Sequence, residues 1–321
     1  RLFYTAVPGV AWLWVAALWP RAKGMQRGTA VIPLSLLVFV ALFGLSTTLT
    51  FRHLYLESTT LLADMVAVLA EENGRYLFIN FPDRYRLKEE PLAIGYWGIT
   101  LAPVVVDLAE FPALLTGSQA QTVSRSMPWV DGDARDDGPY HVDMRGVITQ
   151  PEELYQLAAA HDGVFVTRYG EMGDFALTYA GSVETGRFVA EGQEMDCKTA
   201  VFDNTICLQD VQLRTEADTL IVRTEWWTNA VLPPHLSLFT HVGLPAMPPV
   251  AQNDGHSWQE TLPLFVWQPG DLIVDERRLP LPPGSEMYPI SLGLYDWVSG
   301  ERLPGVDAEK RPLVDNIYVV P

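Results

Sequence analysis

Two aspartates separated by one glycine, Asp131 and Asp133, form a D-x-D pattern. Two carboxylates at this spacing can hold a divalent cation together with a sugar diphosphate, because hard cations prefer oxygen ligands. The pair lies in an acidic segment with Asp136 and Asp137. A solvated acidic loop has the same composition, so the pattern is a weak metal candidate.

Histidines give a second weak metal candidate. His235 and His241 are six residues apart in a predicted strand, and this even spacing puts them on one face. His256 could add a third ligand. The alternative is that these are structural, hydrogen-bonded histidines, because the sequence shows no evident carboxylate to orient them as metal ligands.

Tryptophans are numerous in the second half of the chain. Trp226, Trp227, Trp258 and Trp267, with Trp297 beyond them, could stack on sugar rings. Large aromatic side chains also fill the cores of β-sandwiches. Trp226 and Trp227 are neighbours in a predicted strand, so they face opposite sides. We therefore predict that the first four are glycan-contact candidates, with core packing as the alternative.

The only two cysteines, Cys197 and Cys207, flank the turn-like pair Asp203-Asn204. They could close a hairpin with a disulfide or remain as two thiols. The chain lacks a C-x-x-C pair, so zinc is not indicated. It also lacks the G-x-S-x-G, H-E-x-x-H, G-x-G-x-x-G and P-loop motifs. The sequence therefore indicates no cofactor and gives no recognisable catalytic motif.

Charge is distributed unevenly along the chain. Of 22 basic and 39 acidic side chains, residues 1–52 carry five basic and no acidic ones, which leaves a net charge of −22 on residues 53–321. An acidic surface repels nucleic acid and anionic lipid headgroups. Nucleic acid is thus excluded as a partner, and the simplest role of the charge is solubility.

Two charge-free segments at the start, Leu2–Pro20 and Thr29–Phe51, are each long enough to cross a bilayer as a helix. The loop between them carries Arg21, Lys23 and Arg27, which predicts that it is cytoplasmic. Residues after about 52 are then extracytoplasmic. Because the first span would begin outside, we expect further transmembrane helices upstream; a complete two-span protein is the alternative.

Residues 53–185 show two copies of a helix, glycine and strand pattern, which predicts an extracytoplasmic α/β unit. The first helix spans Glu57 to Asn73, with Ser58 as its N-cap, and a strand follows over Tyr76–Phe81. The second helix begins near Pro151 and precedes a strand over Val164–Tyr169. Residues 117–146 are rich in Gly, Asp and Ser and predict a long acidic loop.

Residues 186–321 change to short β-rich runs separated by Pro/Gly turns, which is typical of an antiparallel, immunoglobulin-like β-sandwich. In Thr219–Trp227, apolar and charged side chains alternate. The predicted fold is therefore an α+β membrane protein: two N-terminal transmembrane helices (1–52), an α/β unit (53–185) and a β-sandwich (186–321). The six predicted strands are Thr205–Leu213, Thr219–Trp227, His235–Val242, Leu272–Leu281, Tyr288–Trp297 and Asn316–Val320.

A set of short strings within residues 205–305 resembles the C-terminal extracytoplasmic domain of bacterial multi-span membrane proteins related to the dolichyl-phosphate-mannose-protein mannosyltransferases. These strings mark a domain and contain no catalytic motif. They are Leu238-Phe239-Thr240-His241-Val242, Ala251-Gln252-Asn253-Asp254-Gly255, Trp267-Gln268-Pro269-Gly270-Asp271 with Asp275, Leu279-Pro280-Leu281-Pro282, Gly293-Leu294-Tyr295-Asp296 and Ser299-Gly300-Glu301-Arg302-Leu303-Pro304. One departure is Leu244–Pro249, where the family often has a short polar turn.

The resemblance implies a location in the bacterial plasma membrane and a parent protein that transfers sugar from a polyprenyl-phosphate donor. The family's catalytic acids lie in an exterior loop that has no counterpart in this sequence, so no catalytic residue is carried over. The chain would be the non-catalytic portion, in contact with the bilayer and with envelope glycan or lipid-linked sugar. The alternative is a membrane-anchored binding module, for glycan or a protein partner, without enzymatic activity.

Overall fold

The structure is a computed structural model of the 321-residue chain. It divides into two compact units, residues 1–58 and 59–321. The first predicted span, the pair Asp131 and Asp133, and most of the predicted acidic loop lie outside the described residues. The residues that the structure describes are 31–69, 73–88, 98–100, 120–127, 140–144, 146–169, 175–188, 197–244, 247–284 and 288–320.

A single long helix, α1 (Val31–Leu69), opens the described chain. Its residues from Leu37 onward have the length and composition to cross a membrane. Apolar side chains between Leu37 and Leu49 are exposed at consecutive positions and therefore on every side, as in a helix that faces lipid. Further along, Leu61, Met65 and Leu69 form a fully buried stripe at a spacing of four.

The prediction of two separate helices over this segment is wrong. Residues between the predicted span and Glu57 are helical, so the two are one continuous helix. Ser58 does not cap a new start: its hydroxyl donates to the Leu54 carbonyl at 2.6 Å, inside the helix. Serine can satisfy its hydroxyl in this way at mid-helix positions, which sequence spacing does not distinguish from a cap.

The predicted α/β elements are present as a parallel group of strands. β1 (Arg75–Ile79) lies between β4 (Gln121–Ser126) and β7 (Gly163–Tyr169), parallel to both, and β6 (Val147–Ile148) extends the group beyond β4. The helix α2 (Pro151–Ala158) precedes β7; it begins with proline followed by two glutamates and buries Leu154, Tyr155 and Ala158. A separate small sheet contains β3 (Gly98–Thr100), β2 (Pro82–Leu87) and β5 (Tyr140–Met144).

The predicted long loop over residues 117–146 is wrong where it covers β4 and β5. β4 is built from polar residues that are nevertheless buried, including Thr122, Ser124 and Ser126. Asn80 supplies a partner from another part of the chain. Its side chain accepts a hydrogen bond from the Met127 amide at 2.7 Å and donates to the Met127 carbonyl at 3.2 Å.

Antiparallel strands continue the same sheet into the C-terminal region. β8 (Phe175–Glu184) pairs with β7 on one side and with β14 (Leu272–Pro280) on the other. The resulting ten-stranded sheet runs across residue 186, where the sequence predicts a domain boundary, and this boundary stays a prediction. Beyond β14 the order is β11 (Thr219–Thr228), β10 (Ile206–Glu216), β9 (Ala200–Phe202) and β16 (Gly305–Asp307).

A second antiparallel sheet shares its core with the first. Its order is β13 (Ala251–Gly255), β12 (Leu236–Val242), β15 (Ile290–Asp296) and β17 (Tyr318–Val319). Leu220 and Val222 of β11 belong to one buried cluster with Leu238 of β12 and Leu292 of β15. The core face predicted for β11 is therefore confirmed, although Ile221 and Trp227 on its other face are buried as well. The immunoglobulin-like classification stays a prediction.

Candidate binding site

The predicted metal ligands are held apart. His235 and His241 are six positions apart along extended backbone, so their Cα atoms are about 20 Å apart. The ligand atoms of a single metal ion, by contrast, lie about 2 Å from that ion. Each imidazole instead pairs with its own carboxylate, His235 with Asp296 at 3.1 Å and His241 with Asp254 at 2.9 Å. The histidine metal candidate is therefore wrong, and no group of metal-binding side chains forms among the described residues.

The four predicted glycan-contact tryptophans are interior residues. Trp226, Trp227, Trp258 and Trp267 are at most 3% exposed, so none can offer a ring face to a sugar. Polar partners satisfy three of the indoles: Trp226 donates to Thr224, Trp258 to the Val274 carbonyl and Trp267 to Ser257. This prediction is wrong because the rings fill the core. Trp297, by contrast, is 57% exposed.

The two cysteines form a disulfide. Cys197 and Cys207 are bonded, with their Cα atoms 5.8 Å apart. Cys207 lies in β10 opposite Val201 of β9, so the bond fixes the segment before β9 to the outer part of the ten-stranded sheet. The turn between the two strands uses Asp203 and Asn204 with positive φ, 48° and 54°, a conformation that Asn and Asp tolerate better than most residues.

The outward side of the four-stranded sheet carries a cluster of polar and aromatic side chains. Alternation along β12 sends Leu238 and Val242 into the core and Phe239 and His241 to the other side. We call this side the outer face. Its members are Phe239 and His241 of β12, Asp254 of β13, Ser291, Gly293 and Tyr295 of β15, and Arg302, which bridges to Tyr295.

Phe239 lies at the centre of the outer face. Gly293 is its cross-strand partner, and a Cβ at Gly293 would come within 2.5 Å of the ring. Glycine is therefore required for the ring to lie against the backbone. The Arg302 guanidinium covers the ring at 5.3 Å from its centroid, a cation–π contact. His241 and Tyr295 complete the group, with ring centroids 5.0 and 6.4 Å from that of Phe239.

A pocket of about 50 Å³ opens at one end of the outer face. Since one water needs about 10–15 Å³, the pocket holds a few waters or one small functional group. His241, Ser291 and Arg302 provide its polar wall. The rest is mostly apolar and includes Leu244, Met247 and Pro249 of the segment that departs from the family pattern.

The outer face brings Ser291, His241 and Asp254 together, but the serine–histidine hydrogen bond of a hydrolytic triad is absent among the described residues. His241 uses Nε2 to contact both carboxylate oxygens of Asp254, at 2.9 and 3.1 Å. Ser291 is opposite His241 in the strand register and 5% exposed, and no hydrogen bond joins the two side chains in the part of the chain that the structure describes. A nucleophile needs such a contact with its base. The arrangement is therefore suited to binding through donated hydrogen bonds.

Behind the outer face, a buried ion pair holds β13 in place. Arg277 and Asp275 are in contact at 2.8 Å, with side chains 2% and 0% exposed. Arg277 also donates to the carbonyls of Asn253, Gly255 and His256 at 2.7 to 3.2 Å. Since Asn253 precedes Asp254, this network positions the carboxylate that pairs with His241.

The sequence prediction missed Arg302, Ser291 and Asp254 as site residues. Arg302 and Asp254 nevertheless lie in strings that carry the family resemblance, as do Phe239, His241 and Tyr295. Those strings are far apart along the chain, and the pairing of β12 with β13 and β15 brings them to one face. The resemblance was the available signal for the site.

Searches with the sequence and the fold found no matching family model, no similar curated protein and no similar solved structure. The resemblance therefore remains a prediction.

Stability should depend on pH through His256. Its Nδ1 is buried without a hydrogen-bond partner in the described structure, and burial lowers the pKa of the imidazole. Arg277 lowers this pKa further, and Glu260 opposes both effects. The unfolded chain then takes up a proton near pH 6.5 while the folded chain does not, so stability falls as the pH drops below about 6.5.

Between pH 7.5 and 5.5 we expect the unfolding free energy of the full chain to decrease more than that of His256→Gln, which cannot take up the proton. Urea unfolding at the two pH values measures both slopes. All other titrating groups are the same in the two proteins, so the difference between the two slopes comes from His256. Equal slopes would show that His256 does not titrate differently in the folded and unfolded states.

Proposed function

We propose that this chain is the non-catalytic extracytoplasmic portion of a membrane glycosyltransferase-like protein, and that its outer face binds envelope glycan or the sugar of a lipid-linked donor. The observation that supports the binding part of the proposal is the pocket lined by His241, Ser291 and Arg302. The resemblance described above is the basis for the transferase part.

Two features support a place outside the cytoplasm. The apolar part of α1 can span a bilayer, and the preceding basic residues favour a cytoplasmic side before it. The Cys197–Cys207 disulfide is the second feature, since disulfides persist in oxidising compartments and are rare in the cytosol.

The composition of the outer face fits a sugar. Sugar rings present hydroxyl groups at their edges and C–H groups on their faces, so they need hydrogen-bonding groups beside aromatic or apolar surface. Here the polar wall of the pocket adjoins the apolar side chains of Leu244 and Met247, and Arg302 of that wall pairs with Tyr295, which is partly exposed. The strands that carry these groups are hydrogen-bonded on both sides of β12, so the site is preformed.

A glycan array tests the binding part. The full chain in detergent micelles should bind a subset of bacterial envelope glycans, and Ser291→Val with His241→Phe should lose that binding while its thermal melting remains cooperative. If the double variant still bound glycan, the glycan site would lie outside the outer face. An absence of binding to all glycans by the native chain would overturn the proposal.

Trp297 supplies a second contact for a longer glycan. It follows β15 directly, and its amide donates to the His235 carbonyl at 3.0 Å. Asp296 fixes the turn by accepting from the amides of Val298 and Ser299 at 2.8 and 3.1 Å. The turn thus holds an exposed aromatic ring at the end of the sheet opposite the pocket.

We expect Trp297→Ala to weaken binding of an oligosaccharide identified on the array by roughly 3–10-fold, the size of a lost aromatic contact. Thermal stability should not change, because the ring is exposed. Val147→Ala, which removes an exposed apolar side chain from β6 in the ten-stranded sheet, is the matched control and should bind normally. Equal affinities of Trp297→Ala and the native chain would exclude this contact.

The upstream reading frame tests the transferase part separately. Several further spans and an acidic pair in the first exterior loop are expected. A start codon directly before Arg1 would contradict the transferase assignment and leave the binding-module alternative.

A further inference from the structure

We infer that the ligand of the outer face carries a single acidic group, a carboxylate or a phosphate monoester on a sugar, and that Arg302 binds it. This inference rests on the proposed function, because it names the chemistry of the glycan at that same pocket.

Arg302 is the one cation of the pocket wall that has no carboxylate partner in the described structure. Its guanidinium is stacked over Phe239, and its single hydrogen bond there is a long one of 3.5 Å from Nη1 to the Asp315 carbonyl. Other arginines on this part of the chain are neutralised, Arg311 by Asp307 and Glu309 and Arg277 by Asp275. The guanidinium of Arg302 therefore keeps donors for a ligand.

The remaining groups in the pocket fit the same ligand chemistry. Ser291 offers a hydroxyl donor beside Arg302, and the carboxylate of Asp254 is already engaged by His241. A planar guanidinium and a hydroxyl are suited to the oxygens of a carboxylate or phosphate group. The volume of about 50 Å³ accommodates one such group rather than a whole sugar ring.

The charge of the rest of the chain limits what can carry that group. The formal net charge is −17, and this field repels polyanions and anionic bilayer surfaces. A ligand with one acidic group on an otherwise neutral sugar gains the contact with Arg302 and experiences little of that repulsion. An acidic glycan is therefore favoured over a phospholipid surface.

The experiment compares two matched pairs of probes on the full chain in detergent micelles: glucuronic acid against glucose, and mannose 6-phosphate against mannose. Saturation-transfer NMR titrations give each affinity. We expect each acidic probe to bind at least roughly tenfold more tightly than its neutral partner, because hydrogen bonds to charged groups contribute about that much. Short-chain phosphatidylglycerol and phosphatidylcholine, added as monomers to the same micelles, should bind the chain equally weakly.

Arg302→Gln should remove the preference for the acidic probe and leave the weaker affinity for the neutral one. Arg311→Gln, which changes an exposed arginine that already has carboxylate partners, should keep the preference. A merely structural role of Arg302 would lower both affinities equally. If the native chain bound acidic and neutral sugars equally, the inference would be wrong but the proposed function would stand. Failure to bind any glycan would overturn both, and selective binding of phosphatidylglycerol would replace the sugar with a lipid headgroup.

Discussion

Replacing Arg277 by methionine is expected to lower the free energy of unfolding by about 3–5 kcal/mol, because it leaves the buried carboxylate of Asp275 without its counterion. The side chains of both residues are almost fully inaccessible to solvent. Methionine keeps most of the volume of the arginine stem, so the loss of charge and hydrogen bonds dominates the effect.

The same substitution should also release the turn that follows β13. Arg277 holds the carbonyls of Gly255 and His256, and Asp275 accepts from the Trp258 amide at 2.6 Å. Trp258, Gln259 and Glu260 all have positive φ, between 53° and 72°. Three consecutive non-glycine residues in this region are costly, so the turn needs external contacts to persist.

Urea unfolding followed by tryptophan fluorescence measures the loss. The neighbouring Arg278→Met is the matched control: Arg278 points to the opposite side of β14 and pairs with the exposed Glu216, so its replacement should have a much smaller effect. Replacing both Arg277 and Asp275 by apolar residues should restore part of the stability. If Arg277→Met were as stable as the control, the ion pair would not hold the turn.

Removing the disulfide with Cys197→Ala and Cys207→Ala is expected to lower the unfolding free energy by about 2–4 kcal/mol, because the bond limits the conformations of the unfolded chain. The cysteines are ten positions apart, which places the expected value in the lower half of this range. In the folded chain the change should be confined to the surroundings of β9, which has only three residues and depends on β10 and β16 for its pairing.

Urea unfolding with and without a phosphine reductant measures this effect. The native chain should lose stability on reduction and the double variant should not respond to the reductant. Mass spectrometry after thiol labelling supplies an independent check, with no free thiol expected in protein exported from the cytoplasm. Two labelled thiols in exported protein would contradict the bond and weaken the exterior placement.

Sequence patterns predicted elements whose side chains follow a local period. β11 is the clearest example, because one apolar face of Leu220, Val222 and Trp226 is enough to specify a strand. The helix α2 could also be predicted, because a proline and two glutamates stand at its start. β1 and β7 could be predicted because each belongs to a local helix–strand repeat, whereas β4 and β6 of the same parallel group were not predicted.

Elements that depend on distant partners were missed. β4 consists of polar residues whose burial depends on Asn80 and on the strands beside it. The outer face is the stronger case: His241 and Ser291 are fifty positions apart and meet only through the register of β12 and β15. For the tryptophans, the sequence predicted contact with sugar, whereas the structure shows core packing. The burial of a tryptophan depends on which face of its strand the core covers, and composition does not indicate that face.

The central claim is that the outer face of the four-stranded sheet binds glycan. A photoreactive diazirine derivative of the oligosaccharide that binds best on the array, crosslinked to the full chain and mapped by mass spectrometry, tests it most directly. We expect adducts on β12 near His241, on β13 near Asp254 and between Ser291 and Arg302, all suppressed by excess unlabelled oligosaccharide. Suppressible adducts confined to the ten-stranded sheet, with none on these three segments, would contradict the claim.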